Sequence, residues 1–152
     1  MKRTIYLTSD HGGFDLKEKL KNYLVEQGHK VEDVGPQVKD PQDDYPDYAL
    51  KLVRMLRSDD YGWGIAICRS AQGMCMALNR NPGIRAGLAW SVEEAKKVRQ
   101  HENSNAVCLS GDFISEANNI KIVEAWLNAD YKGPEEPRHA RRLDKLESYF
   151  PL

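Results

Sequence analysis

A chain of 152 residues with 41% hydrophobic content is long enough to form one domain around its own core. Its 30% charged residues leave a formal net charge of -1, so it has neither a global basic field for nucleic acid nor the acidic excess of a disordered chain. Three cysteines (Cys68, Cys75 and Cys108) are an odd set without CxxC spacing, which argues against a disulfide framework or a zinc knuckle and for a reducing compartment. Neither the N-terminus MKRTIYLTSDH nor any later segment offers a signal peptide or a bilayer span, so the expectation is a cytoplasmic protein without membrane or nucleic-acid partners.

Apolar runs alternate with amphipathic ones along the chain. TIYLTS (Thr4 to Ser9) reads as a buried strand, and FDLKEKLKNYLVEQG as a helix with Phe14, Leu16, Leu20, Tyr23 and Leu24 near helical spacing and Gly28 at its end. HKVEDVG is a second strand, the polar segment 35–45 a loop, and PDYALKLVRMLRS a helix with Pro46 in its first turn. WGIAIC is the third strand, GMCMALNR a helix and IRAGLAW the fourth strand. SVEEAKKVRQH is a helix capped by Ser91 with Glu94 three residues on, NAVCLS the fifth strand, and SEANNIKIVEAWLNA a helix capped by Ser115. This alternation predicts a five-stranded parallel sheet covered on both faces, a three-layer α/β/α sandwich in a single domain over 1–152. The tail 133–152 is set off by prolines and carries a short helix with Leu143, Leu146 and Phe150 on one side. That stripe must pack on its own domain or on a partner subunit.

In open parallel sheets ligands bind at the carboxyl ends of the strands, so the residues after each strand are the ones to inspect. Strand one ends in Asp10, His11, Gly12 and Gly13. Strand three ends in Cys68, Arg69, Ser70, Ala71, Gln72 and Gly73, and His101 closes the helix that follows strand four. Cys68 is either a buried strand-end thiol or a base or nucleophile. A helix N-terminus one turn away and Arg69 beside it both favour the thiolate, which predicts a lowered pKa. Asp10 and His11 read as a turn-and-cap pair or as polar site groups, and His101 as a helix-end residue or a site group. Arg138, His139 and Arg142 fit a solvated helix face, yet Arg138 and Arg142 are four apart, a spacing that suits a phosphate clamp. Cys75 and Cys108 sit in apolar runs as small core residues. A thiolate phosphatase loop is excluded because position 74 is Met, and a phosphorelay receiver because strand one is followed by one acid and strand three ends in Cys68. Dinucleotide and P-loop signatures are absent as well.

With these residues in place the sequence resembles the ribose-5-phosphate isomerase B family, which includes the galactose-6-phosphate isomerase subunits. The resemblance rests on SDHGGFDLK, DYPDYA, GIAICRSAQG, ALNRNPGIRA, RQHENSN and RHARR, six ordered motifs across nearly the whole chain. It implies a Rossmann-like sandwich, a homodimer or homotetramer with active sites shared between subunits, and a tail helix reaching toward the neighbour. The implied chemistry is aldose–ketose isomerisation of a sugar phosphate through an enediolate, without metal or cofactor. Ribose 5-phosphate and ribulose 5-phosphate are the default pair. Isomerisation of another sugar or sugar phosphate, such as galactose 6-phosphate and tagatose 6-phosphate or an unphosphorylated pentose, and sugar-phosphate binding without turnover are the alternatives.

By resemblance Cys68 is the base, Ser70 assists proton transfer, Asp10 binds sugar hydroxyls, His11 contacts phosphate and His101 opens the sugar ring. The amides from Ser70 through Ala71 and Gln72 to Gly73 form the oxyanion hole, and Arg138 and Arg142 the phosphate clamp, supplied with His101 by the partner. The chain departs from the family at Arg69 and Ala71, where glycines are usual, and at Glu102, where asparagine is usual. If position 71 requires a positive φ, alanine there costs about 1 kcal/mol. Arg69 and Glu102 are expected to face each other across the site and to shift sugar preference.

Overall fold

The computed structural model describes residues 3–151. Its elements in chain order are β1 (Thr4–Ser9), α1 (Phe14–Glu26), β2 (Lys30–Asp33), α2 (Tyr45–Ser58), β3 (Trp63–Cys68), α3 (Gln72–Asn79), β4 (Ala86–Leu88), α4 (Val92–Glu102), β5 (Ala106–Ser110), α5 (Glu116–Leu127) and α6 (Pro137–Tyr149). The strands form one parallel sheet in the order β2-β1-β3-β5-β4. The predicted α/β/α sandwich is therefore present, with one feature the pattern did not reveal. After β3 the chain passes to the edge to make β4 and returns to place β5 beside β3. β4 is shorter than IRAGLAW suggested, because an edge strand has one neighbour and pairs with β5 only over Ala86 to Leu88.

The two layers follow from strand alternation. Ile5, Leu7, Ile65, Ile67, Val107 and Leu109 point to one face, where they meet Leu16, Leu20 and Leu24 of α1 and Ile122, Val123 and Trp126 of α5. Tyr6, Ala66, Cys68, Ala106 and Cys108 point to the other, against Leu52, Val53 and Leu56 of α2 and Met74 and Leu78 of α3. The inner residues of β3 on this second face are small, so α3 packs close to the strand and Cys68 stands beneath its first turn. Both expected caps form: Ser91 Oγ accepts from the Glu94 amide while Glu94 accepts from the Trp90 amide, and Ser115 Oγ accepts from the Asn118 amide. Cys108 is fully buried, and Cys75 packs against the same cluster.

α6 is longer than the short helix expected and packs against α4. Its Leu146, Tyr149 and Phe150 remain exposed. Arg85 Nη1 meets Glu147 Oε1 of α6 at 3.1 Å.

A buried cation fixes the layer of loops behind the sheet edge. Lys17 Nζ has no solvent exposure and bonds Asp33 Oδ2 at 2.5 Å, Glu18 Oε1 at 2.6 Å and the Pro36 carbonyl at 3.0 Å. Burial opposes ionisation of Asp33, but hydrogen bonds from Lys17, Lys21 and the Gly35 amide outweigh it and hold the carboxyl below its ordinary pKa. A depressed carboxyl contributes stability above its unfolded pKa and loses it as pH falls through the folded value. Substituting Lys17→Ala is expected to cost about 3 kcal/mol, because Asp33 is left buried with only Lys21 for charge. Urea unfolding at neutral pH measures that loss, and the gap between wild type and variant should narrow as pH drops through the acid range.

Candidate active site

Three loops converge at the carboxyl edge, where β1 and β3 lie side by side and their following helices diverge to opposite faces. Their approach is close. A Cβ on Gly12 would fall 2.4 Å from Arg69 Cγ, and one on Gly111 would fall 2.7 Å from the Gly12 carbonyl oxygen. Backbone bonds join the loops: Asp10 N donates to Ile67 O, Gly111 N to Cys68 O and Asp112 N to Arg69 O. Ser110 Oγ donates to Arg69 O at 2.6 Å. The carbonyls of Cys68 and Arg69 are thus held from the β5 side, and that of Ile67 from the β1 side.

Cys68 is buried, and the amides of Ser70 and Ala71 in the turn before α3 and of Met74 in its first turn point to its sulfur. Ala71 has φ 67°, the left-handed conformation that favours glycine, so the strain anticipated from sequence is present. Its buried methyl packs in the cluster around Met74 and Leu78. Ser70 is half-buried, Gln72 is exposed, and Gly73 packs on the Tyr45 ring, which a Cβ would approach to 3.0 Å.

The charge state of Cys68 differs from the expectation. Burial pushes the thiol above its ordinary pKa, the Asp10 carboxylate adds to the rise, and the three amides oppose it without prevailing. Arg69 does not compensate. Its side chain is 63% exposed and turns to Asp112, with Nη1 to Oδ2 at 3.2 Å. This also gives Arg69 a partner other than the Glu102 expected for it.

Asp10 is itself buried, and burial raises its pKa although its Oδ1 accepts from the Gly13 amide at 3.1 Å. Next to it, His11 bonds Asp43 through both its backbone amide, at 3.0 Å, and ring Nδ1, at 2.6 Å. Asp10, His11, Cys68 and the amides from Ser70 to Gly73 therefore form one constellation. A thiol there can exchange a proton with a bound carbon acid while backbone amides meet the developing oxyanion.

The other sequence-predicted residues lie elsewhere in the chain. α4 starts after β4 at the carboxyl edge and runs back along the sheet for 11 residues, about 16 Å. His101 and Glu102 thus emerge at the amino edge, just before Asn105, whose carbonyl accepts from Gly64 at the start of β3. There the His101 ring stacks on His139 with centroids 4.3 Å apart and planes 10° apart. Burial, His139 and Lys97 all lower the His101 pKa. Arg138 pairs with Glu136 at 2.8 Å, Arg142 is exposed, and Glu102 borders a cavity beneath α6 with Arg85 and Leu146. His139 is buried rather than part of a solvated face. One chain therefore holds two separate polar groups, at opposite edges of its sheet.

Sequence reasoning missed Asp43, Tyr45 and His139 as contributors to these groups. Asp43 and Tyr45 lie in or beside a polar loop without periodicity, and only the acid-rich run DDYPD in front of α2 hinted at them. For Ala71→Gly, release of the left-handed strain should raise stability by up to about 1 kcal/mol. Thermal melting checks this; a drop in Tm would mean that the buried methyl outweighs the strain.

A family model described as Ribose/Galactose Isomerase matches residues 5–146. A probable ribose-5-phosphate isomerase B of Mycoplasma pneumoniae is 40% identical over 149 residues, covering 98% of this chain and 96% of that protein. The crystal structure of ribose-5-phosphate isomerase B from Mycoplasma genitalium with bound ribulose-5-phosphate superposes with a TM-score of 0.92 at 39% identity, covering 98% and 97% of the two chains. The ribose 5-phosphate isomerase of Thermotoga maritima gives 0.91 at 38% identity, covering 97% and 99%. The buried thiol under a helix N-terminus and the parallel sheet that presents it are thus those of a chain that belongs to the ribose/galactose isomerase family.

Proposed function

We propose that this protein interconverts ribose 5-phosphate and ribulose 5-phosphate through an enediolate, with Cys68 as the base. The observation that carries the reading is the Cys68 sulfur, shielded from water and faced by the amides of Met74, Ser70 and Ala71. A relative with this fold holds ribulose-5-phosphate. The reaction moves a proton between the first two sugar carbons, and the barrier lies in the weak acidity of the carbon and in the oxyanion formed. A thiol whose pKa is raised is mostly neutral at rest and a stronger base once ionised, which suits abstraction of a carbon-bound proton. The amides of Gln72 and Gly73, together with those of Ser70 and Ala71 that the sulfur shares, stabilise the enediolate oxygen, the Ser70 hydroxyl assists proton transfer, Asp10 holds sugar hydroxyls and His11 meets the phosphate.

The working enzyme is a cytoplasmic homodimer or higher assembly in which the amino-edge group of one protomer completes the carboxyl-edge group of its partner. His101 then serves ring opening, and Arg138 and Arg142 the phosphate. Support comes from the separation of the two groups within one chain and from the exposed Leu146, Tyr149 and Phe150 on α6. A second reading, preference for another sugar phosphate, is favoured by Arg69, which crosses the β1–α1 loop to reach Asp112 at the mouth of the site.

Wild-type turnover of ribose 5-phosphate should be lost in Cys68→Ala, by a factor of about 1,000 or more. Formation of ribulose 5-phosphate follows it directly, and retained turnover in the variant would remove Cys68 from the mechanism. Because the thiolate is the active form and its pKa is raised, kcat/KM should climb with pH across the alkaline range, with its limb above that of an ordinary thiol. Replacing Arg69 by Gly and Glu102 by Asn together should raise ribose 5-phosphate turnover relative to hexose 6-phosphates; an unchanged ratio counts against the second reading.

A further inference from the structure

We propose that Asp43 is a positioning residue for the sugar-phosphate site: it holds the His11 ring with Nδ1 turned inward and Nε2 presented to the ligand's phosphate. The inference rests on the isomerase reading, because it assigns His11 to a phosphorylated ligand.

Asp43 commits one oxygen to a single residue. Its Oδ1 accepts from the His11 backbone amide at 3.0 Å and lies 2.6 Å from ring Nδ1, so main chain and ring are fixed together. An ionised carboxylate only accepts, so the proton of that contact sits on Nδ1. Nε2, across the ring, has no protein partner among the described residues and is the atom left for a ligand. When the ring carries both protons, Nε2 donates to a phosphate oxygen and Asp43 supplies the opposing charge behind it. This is the arrangement by which a carboxylate fixes the orientation of a functional histidine.

The placement of Asp43 is itself enforced. Its side chain is only 7% exposed. The loop that carries it is tied at its start by the Val34 amide to the Leu7 carbonyl and by Lys17 to the Pro36 carbonyl, and at its end by the Tyr45 ring against Gly73. Its second oxygen, Oδ2, is buried beside Tyr48, whose pKa is raised by burial and by this carboxylate. A buried carboxylate next to another acid, Asp10, is unfavourable for folding alone.

The test uses the full-length wild type, Asp43→Asn, Asp43→Ala, His11→Ala and the Asp43→Ala/His11→Ala double variant. Loss of the charge-assisted bond should raise KM and the calorimetric Kd for ribose 5-phosphate by about tenfold while kcat changes less than about threefold. The double variant should bind no worse than His11→Ala alone, because Asp43 acts through the ring. Unchanged Kd in both single Asp43 variants, or additive losses in the double variant, would overturn the proposal. Nitrogen NMR of histidine-labelled wild type gives a readout independent of how the variants fold: neutral His11 should carry its proton on Nδ1, and a proton on Nε2 instead would refute the contact. Wild-type turnover decides the isomerase reading separately, and if it is absent, binding of inorganic phosphate to wild type and Asp43→Asn still decides the role of Asp43.

Discussion

The end of β3 is the constraint on which the site depends. β3 is central, paired with β1 on one side and β5 on the other, and its last residue stands opposite Ser110. Bonds from Gly111, Asp112 and Ser110 to the carbonyls of Cys68 and Arg69 continue that pairing one residue past the strand. The chain must then turn within three residues into α3, and it does so through a left-handed Ala71. That turn aims three amides at the Cys68 sulfur. A looser strand end would free the backbone and disperse the amides; here local strain is offset by sheet hydrogen bonds that a helix start alone does not provide.

Electrostatics at this edge are arranged against ionisation. Asp10 and Cys68 are both buried, both raised in pKa, and near enough to oppose each other's charge. The nearest cation in sequence, Arg69, is spent on Asp112 at the surface. Such a site excludes stray charge in the resting state and accepts it only when a ligand rearranges the local field.

Much of the fold was legible because the strands are buried along their length and the helices are amphipathic. TIYLTS, WGIAIC and NAVCLS gave β1, β3 and β5 almost to the residue, and the Ser91 and Ser115 caps followed from side-chain chemistry within one turn. Strand order was not legible, since every βα unit looks alike locally and only tertiary packing decides that β5 lies inside β4. Cys68, Asp10 and His11 could be placed together because they sit at the carboxyl ends of two adjacent strands. His101 could not, because the direction of α4 carries it to the far edge. His139 looked like part of a solvated helix face, and nothing in the pattern marked Lys17 or Asp43 as buried; each lies beside a partner distant in sequence: Asp33 for Lys17, His11 for Asp43 and His101 for His139. Composition and periodicity report which side chains are polar, not which polar side chains find one another.

The division of polar groups between two edges bears on how a dianionic substrate could be held. At the carboxyl edge of a single chain, Asp10 and Asp43 are close, while Arg69 faces outward. A phosphate brought there meets more negative than positive charge from that protomer. At the amino edge, beside the stacked His101 and His139, Arg138 is paired with Glu136 and Arg85 with Glu147, while Arg142 is exposed with no ion-pair partner among the described residues. Two like chains related by a twofold axis can set one edge against the other, which would bring Arg142 and the two histidines to the edge that lacks cations. On the proposed reading, shared sites are then a consequence of charge distribution. On that reading the water-poor pocket around Cys68 and the cations that meet the phosphate come from different chains, and the assembly brings them together.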